Sequence, residues 1–239
     1  MITIDNLVKA YNSVKVLDIK QLEVSLGQSF GLVGNNGAGK TALFRLILDL
    51  IKADRGQVLS KGIAVNKDNQ WKKYTGSFLD EGFLIGFLKP EEYFAFIADL
   101  NGVTKEELKA FYNQFSDFFG GEILNKNKYI PDFSKGNQKK IGIFGAVISQ
   151  PEVLILDEPF ASLDPSCQIR LKSLLKELHQ KNNLTLLISS HDLNHIAEVS
   201  QRIVILEKGQ IAKDLLTSDS TLSELEGYFN PKAFVEKES

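Results

Sequence analysis

The 239 residues are 43% hydrophobic and 24% charged, enough apolar material for a packed core in one large domain or two unequal lobes. Lys and Arg total 28 against 30 Asp and Glu, a formal charge of −2, so no broad cationic face is expected and with it no nucleic-acid partner. The lone Cys167 closes no internal disulfide, and runs such as Ile141–Ile148 are far too short to cross a bilayer, which together predict a cytosolic chain.

In chain order, apolar positions alternate or cluster at Ile2, Ile4, Leu7 and Val8, at Val14, Val16 and Leu17, and at Leu22, Val24 and Leu26. After a turn at Gly27 comes the run Ser29–Val33, so about three strands are predicted here. Glycines then cluster at 34, 37 and 39, and Ala42, Leu43, Leu46, Ile47 and Leu50 recur at helical spacing. From Pro90 to Gln150 the texture turns helical and aromatic-rich, broken at Asn101-Gly102 and Gly120-Gly121, as for an inserted helical lobe. Beyond it the patterns predict a strand over 153–156, a helix over 165–181, a strand over 184–189, a helix over 192–199 and a strand over 202–206. Strands alternating with helices imply an α/β class with a largely parallel sheet. The charged tail from Lys232 to Ser239 is expected to fray.

Gly34-Asn35-Asn36-Gly37-Ala38-Gly39-Lys40-Thr41 fits G-x-x-x-x-G-K-[ST], and it lies between an apolar strand and a helix that runs on through Ala42. Glycines let successive backbone N–H groups curl toward a phosphate, and the helix N-terminus adds partial positive charge. Lys40 then reaches the β- and γ-phosphates and Thr41 offers an oxygen to Mg²⁺, so ATP or a similar nucleoside triphosphate is expected.

A second apolar strand, Val153–Leu156, ends in Asp157-Glu158-Pro159. Two acids at the carboxyl edge of a parallel sheet sit where doubly wound folds bind ligands, and they are costly there without a cation. Asp157 is the candidate to hold Mg²⁺ through water, and Glu158 the candidate to orient or polarise the attacking water. A solvated turn after a strand is the plainer alternative for the pair.

With those two motifs in place, the chain from Ile2 to about Leu216 resembles the ABC ATPase family. Phe133-Ser134-Lys135-Gly136-Asn137, placed before a helix over 138–149, resembles the signature Leu-Ser-Gly-Gly-Gln and keeps Ser134 and Gly136. Ala161-Ser162-Leu163-Asp164-Pro165 is similar to the D-loop, His191 to the switch histidine, and Tyr11 to the aromatic that stacks on adenine. The resemblance implies a P-loop NTPase, RecA-like core with an N-terminal antiparallel β subdomain and an inserted α-helical subdomain. Residues 1–85 and 150–217 would form the catalytic lobe, 86–149 the helical signature lobe and 218–239 a C-terminal extension. It also implies a head-to-tail pair of ABC ATPase subunits, with a homodimer expected, in which Ser134 faces the γ-phosphate held by the other subunit. On the residues alone, Ser134 and Asp164-Pro165 also read as ordinary helix starts, Tyr11 as a half-buried strand aromatic, and His191 with His195 as two of the ligands a metal would need.

Two departures from the family stand out. Where it carries a metal-bonding Gln, the register of Thr75–Gly82 puts Asp80, with Glu81 next, and a carboxylate is still a hard oxygen donor for Mg²⁺. Lys135 and Asn137 replace a Gly and a Gln of the signature; Lys135 either adds a cation to the composite site or points to solvent, and the variant resembles exporter-type members. The expectation is thus an ATP-hydrolysing subunit, peripheral on the inner face of the cell membrane, that drives a separate transmembrane permease through an apolar groove near the Asp80 loop. The alternative is a soluble ABC ATPase that moves no solute, such as a cofactor-assembly scaffold.

Overall fold

The computed structural model describes residues 1–229, and the tail expected to fray lies outside them. Three strands open the chain: β1 (Ile2–Tyr11), β2 (Val14–Val24) and β3 (Ser29–Val33). The helix α1 (Lys40–Ile47) follows, then β4 (Arg55–Ser60), β5 (Ile63–Ala64) and β6 (Thr75–Phe78). The helical segment comprises α2 (Pro90–Leu100), α3 (Lys105–Gln114), α4 (Ser116–Phe119) and α5 (Lys135–Val147). The chain then runs through β7 (Val153–Leu156), α6 (Pro165–Asn182), β8 (Thr185–Ser190), α7 (Leu193–Val199), β9 (Arg202–Glu207), β10 (Gln210–Leu216) and α8 (Thr221–Phe229).

These strands form two sheets. The order β2-β1-β4-β5 is antiparallel, whereas β10-β9-β3-β8-β7-β6 is parallel except for β10, which runs against β9. Every residue of β3, β7 and β8 is buried, because helices and the second sheet cover both faces of the large sheet. Alternation along a strand then divides the core: Leu154, Leu156, Leu186 and Ile188 face the helical side, whereas Val153, Ile155 and Leu187 face α1 and the antiparallel sheet.

In the helical segment, aromatic rings converge on Phe144 of α5, with centroids of Phe94 at 4.5 Å, Phe119 at 4.6 Å, and Phe111 and Phe115 at 5.4 Å. Such pairs add about 0.5–1.5 kcal/mol each beyond their buried area. The helix starts are set locally: Pro90 opens α2, and Thr104 and Glu107 cap α3 reciprocally. Helix α5 begins at Lys135, three residues before the predicted start, because Ser134 accepts a hydrogen bond from Asn137 N–H at 3.3 Å and so caps it. The signature segment therefore occupies the cap and first turn of the helix instead of preceding it.

The parallel register sets up the site. Val33 pairs with Ser190, Leu156 with Ile188 and Phe78 with Leu156, so four strands release their carboxyl ends along one edge.

Candidate ATP site

The loop after β3 is built around backbone that a side chain would obstruct. A Cβ on Gly34 would stand 2.4 Å from the Leu206 carbonyl oxygen, and Gly39 has φ 108° with the Val16 carbonyl 2.8 Å from where its Cβ would be. Gly39 caps α1 without a side-chain bond, and no acid lies in the first turn, so the leading N–H groups of α1 meet no side-chain acceptor there. Lys40 is buried; its ammonium donates to the Gly34 carbonyl at 2.6 Å and lies 3.3 Å from Glu158 Oε1. The resulting cleft of about 350 Å³ is lined by Tyr11, Val16, the loop from Asn35 to Ala42, Arg45 and Glu158. Tyr11 is half exposed at its mouth.

The two acids have opposite surroundings. Asp157 is buried, and its carboxylate accepts from Thr41 Oγ1 at 2.5 Å and from Ser189 Oγ. Glu158 has φ 48°, a left-handed backbone that sends its side chain into the cleft. Its N–H donates to Ser189 Oγ at 3.0 Å, and Oε2 meets His191 N–H at 3.3 Å and Nδ1 at 2.9 Å. A carboxylate only accepts, so Nδ1 is the protonated nitrogen in that contact. No cluster of three or more His, Cys, Asp or Glu fit to hold a metal occurs among the described residues, so a cation here would need oxygens brought by a ligand. Thr41 and Asp157, two hard oxygen donors side by side, fit a Mg²⁺ that arrives with phosphate.

Asp80 lies at the same edge, two residues past β6. Its Oδ1 accepts from Gly82 N–H at 2.8 Å and its Oδ2 lies 3.6 Å from Arg45 Nη2. Lys135 and Ser134 are exposed, and a Cβ on Gly136 would come within 2.8 Å of the Ser162 carbonyl, so the signature turn abuts the segment before α6. Asp164 caps α6 by accepting from Cys167 N–H at 2.9 Å and Ser166 Oγ at 2.6 Å. The Ser166 hydroxyl and then the Cys167 amide hold its carboxyl below the ordinary value. His195 packs its ring on Phe160 at 4.6 Å.

A glycine-rich loop feeding a helix, with an acid pair at the end of a neighbouring strand, is the architecture matched by a family model for ABC transporters over residues 17–161. The chain belongs to the ABC transporter family. It is an ATP-binding, ATP-hydrolysing subunit of that family. It is 36% identical over 210 residues to an uncharacterized ABC transporter ATP-binding protein, YhaQ, of Bacillus subtilis, covering 88% of this chain and 69% of that one. The methionine import ATP-binding protein MetN of Carboxydothermus hydrogenoformans is 28% identical, with 93% and 68% covered. The dimeric structure of the bacterial ABC transporter cassette MJ0796 superposes with TM-score 0.81 at 22% identity, over 91% of this chain and 99% of that one, and shares the fold.

In this ABC ATPase the structure lines one cleft with Tyr11, Asn35–Ala42 and Glu158, and joins to it the Gly34 carbonyl through Lys40, Asp157 through Thr41, His191 through Glu158 and Asp80 through Arg45. Ser134, Lys135, Gly136 and Asp164 are not among the residues lining that cleft. Three polar partners escape the sequence motifs: Ser189, which bridges both acids; Arg45, which faces Asp80; and Lys139, whose ammonium reaches the Glu158 carbonyl. Ser189 had a signal, a hydroxyl directly after the apolar run Leu186–Ile188 in the strand beside the acid-bearing one.

Proposed function

We propose that the cleft binds ATP with Mg²⁺, that Glu158 activates water against the γ-phosphate, and that two copies of the chain close head to tail around the nucleotide to drive a permease. The carrying observation is the convergence of Lys40, Thr41, Asp157, Glu158 and His191 at one sheet edge. Tyr11 would stack on the adenine, and Gly34–Gly39, Lys40 and Ala42 would hold the phosphates by amides and an ammonium. Bound at Thr41 and Asp157, Mg²⁺ would neutralise phosphate charge as the bond to the leaving group breaks. Asp80, now facing Arg45 at 3.6 Å, would join it through a carboxylate oxygen. His191 would steady the γ-phosphate while Glu158 takes the proton of the attacking water.

Ser134, Lys135 and Gly136, at the exposed start of α5, and Asp164 would complete the site of the partner copy, since a hydroxyl, free N–H groups and a helix N-terminus suit an anion. A groove of about 310 Å³, lined by Leu50, Trp71, Leu79, Phe83, Leu84 and Tyr93 together with the polar Asp49, Lys72, Thr75 and Ser77, supports permease docking beside the Asp80 loop, and hence a place on the inner face of the membrane. No helix among the described residues is long and apolar enough to cross a membrane itself. For direction, Lys135 and Asn137 favour export, whereas the methionine relative is named for import; solute movement in inverted vesicles carrying this chain with its permease decides between them. Lys40→Ala tests the binding site: loss of a charge-assisted contact should weaken ATP about 10- to 100-fold by titration. Unchanged affinity would show that the nucleotide sits elsewhere.

A further inference from the structure

A lysine buried in a helix is costly to hold charged unless its ammonium finds partners. Lys139 of α5 is 6% exposed. Its Nζ donates to the main-chain carbonyl of Glu158 at 2.8 Å and lies 3.8 Å from Glu81 Oε1. Burial pulls its pKa below the ordinary value, opposed by the negative charge of Glu81, Glu158, Asp157 and Asp80.

The acceptor is a strained peptide. Glu158 adopts a left-handed backbone, which costs a non-glycine residue about 1–3 kcal/mol and persists only where its surroundings hold it. Three contacts fix its main chain: Ser189 on the N–H, and on the carbonyl the Lys139 ammonium at 2.8 Å with the Ala161 N–H at a longer 3.3 Å. Its carboxylate contacts, Lys40 and His191, are groups that the proposed chemistry assigns to phosphate. Glu81 lies on the loop after β6, next to Asp80 and two residues before Phe83, which lines the groove assigned to permease docking.

We infer that Lys139 is a positioning residue that pins the Glu158 peptide and ties its orientation to the Glu81 loop, so that movement at the groove reaches the water-activating carboxylate through one ammonium. This rests on the reading of Glu158 given above.

Turnover, ATP-analogue affinity and melting temperature of the full chain test it. Lys139→Met, which keeps most of the stem, should lower kcat about tenfold or more while nucleotide Kd stays within about twofold. Lys139→Arg should restore most of the rate with the same Kd. Glu81→Gln, which leaves the carbonyl contact in place, should lower kcat about threefold and add nothing on the Lys139→Met background. A kcat for Lys139→Met within about twofold of the parent overturns the inference, as does a parental kcat for Glu81→Gln, the variant that carries the test if Lys139→Met fails to fold. A parent protein that hydrolyses no ATP sinks the assignment of Glu158 instead; an active parent with an active Lys139→Met sinks only the tether.

Discussion

Asp157 and Glu158 are neighbours in sequence, yet one left-handed peptide turns them to different work: Asp157 stays buried against Thr41 and Ser189, and Glu158 enters the cleft beside Lys40 and His191. Residue types whose chemistry demands fixed spacing, such as the glycines, Lys40, Thr41 and the acid pair, were legible in the sequence for that reason. Lys139 and Arg45 were not, since a cation on a helix acquires meaning only from what the fold brings to it. Asp164 is legible as a helix cap, and the structure supplies the bonds. Its depressed carboxyl pKa sets the sign of a pH effect: stabilisation is complete above the ordinary value of 3.8 and is lost as the pH falls through the folded value. Asp164→Ala should therefore lower the melting temperature by about 2–4 °C at neutral pH, and the difference should shrink on acidification below 3.8. A difference independent of pH would show that the carboxylate does not cap α6.

Among the elements, β7 and β8 were predicted within one residue because both faces are covered and each carries a core of consecutive apolar residues, Val153–Leu156 and Leu186–Ile188. Strands β4, β5, β6 and β10 were not predicted. The first three residues of β4 are exposed, β6 is only Thr75-Gly76-Ser77-Phe78, and β10 is an edge strand with no buried residue, so pairing with a neighbour creates strands that propensity does not announce. The contact of α5 with β6 depends on two glycines. A Cβ on Gly76 would lie 1.9 Å from the Ala146 carbonyl, and one on Gly142 2.0 Å from the Phe78 ring. Gly142→Ala should cost about 1–3 kcal/mol in urea unfolding, because Phe78 is buried and cannot swing out. Unchanged stability would mean that the two elements sit farther apart than described here.

For the molecule as a whole, two cores on opposite faces of one sheet flank its carboxyl edge, from which the phosphate loop, Asp157, Glu158 and His191 hang. The family architecture, and with it the expectation of a groove near the Asp80 loop, was legible because its motifs fall in order along the strands; the Lys139 tether was not, because it joins segments distant in sequence. The central claim is that ATP bridges two copies and that Glu158 ends the bridge by activating water. Light-scattering mass of Glu158→Gln with ATP and Mg²⁺, taken alongside its hydrolysis rate, tests this most directly. The account predicts a particle of twice 26.7 kDa that forms only with ATP and turns over at least about 100-fold more slowly than the parent. A particle that stays at 26.7 kDa and hydrolyses ATP at the parental rate would contradict it.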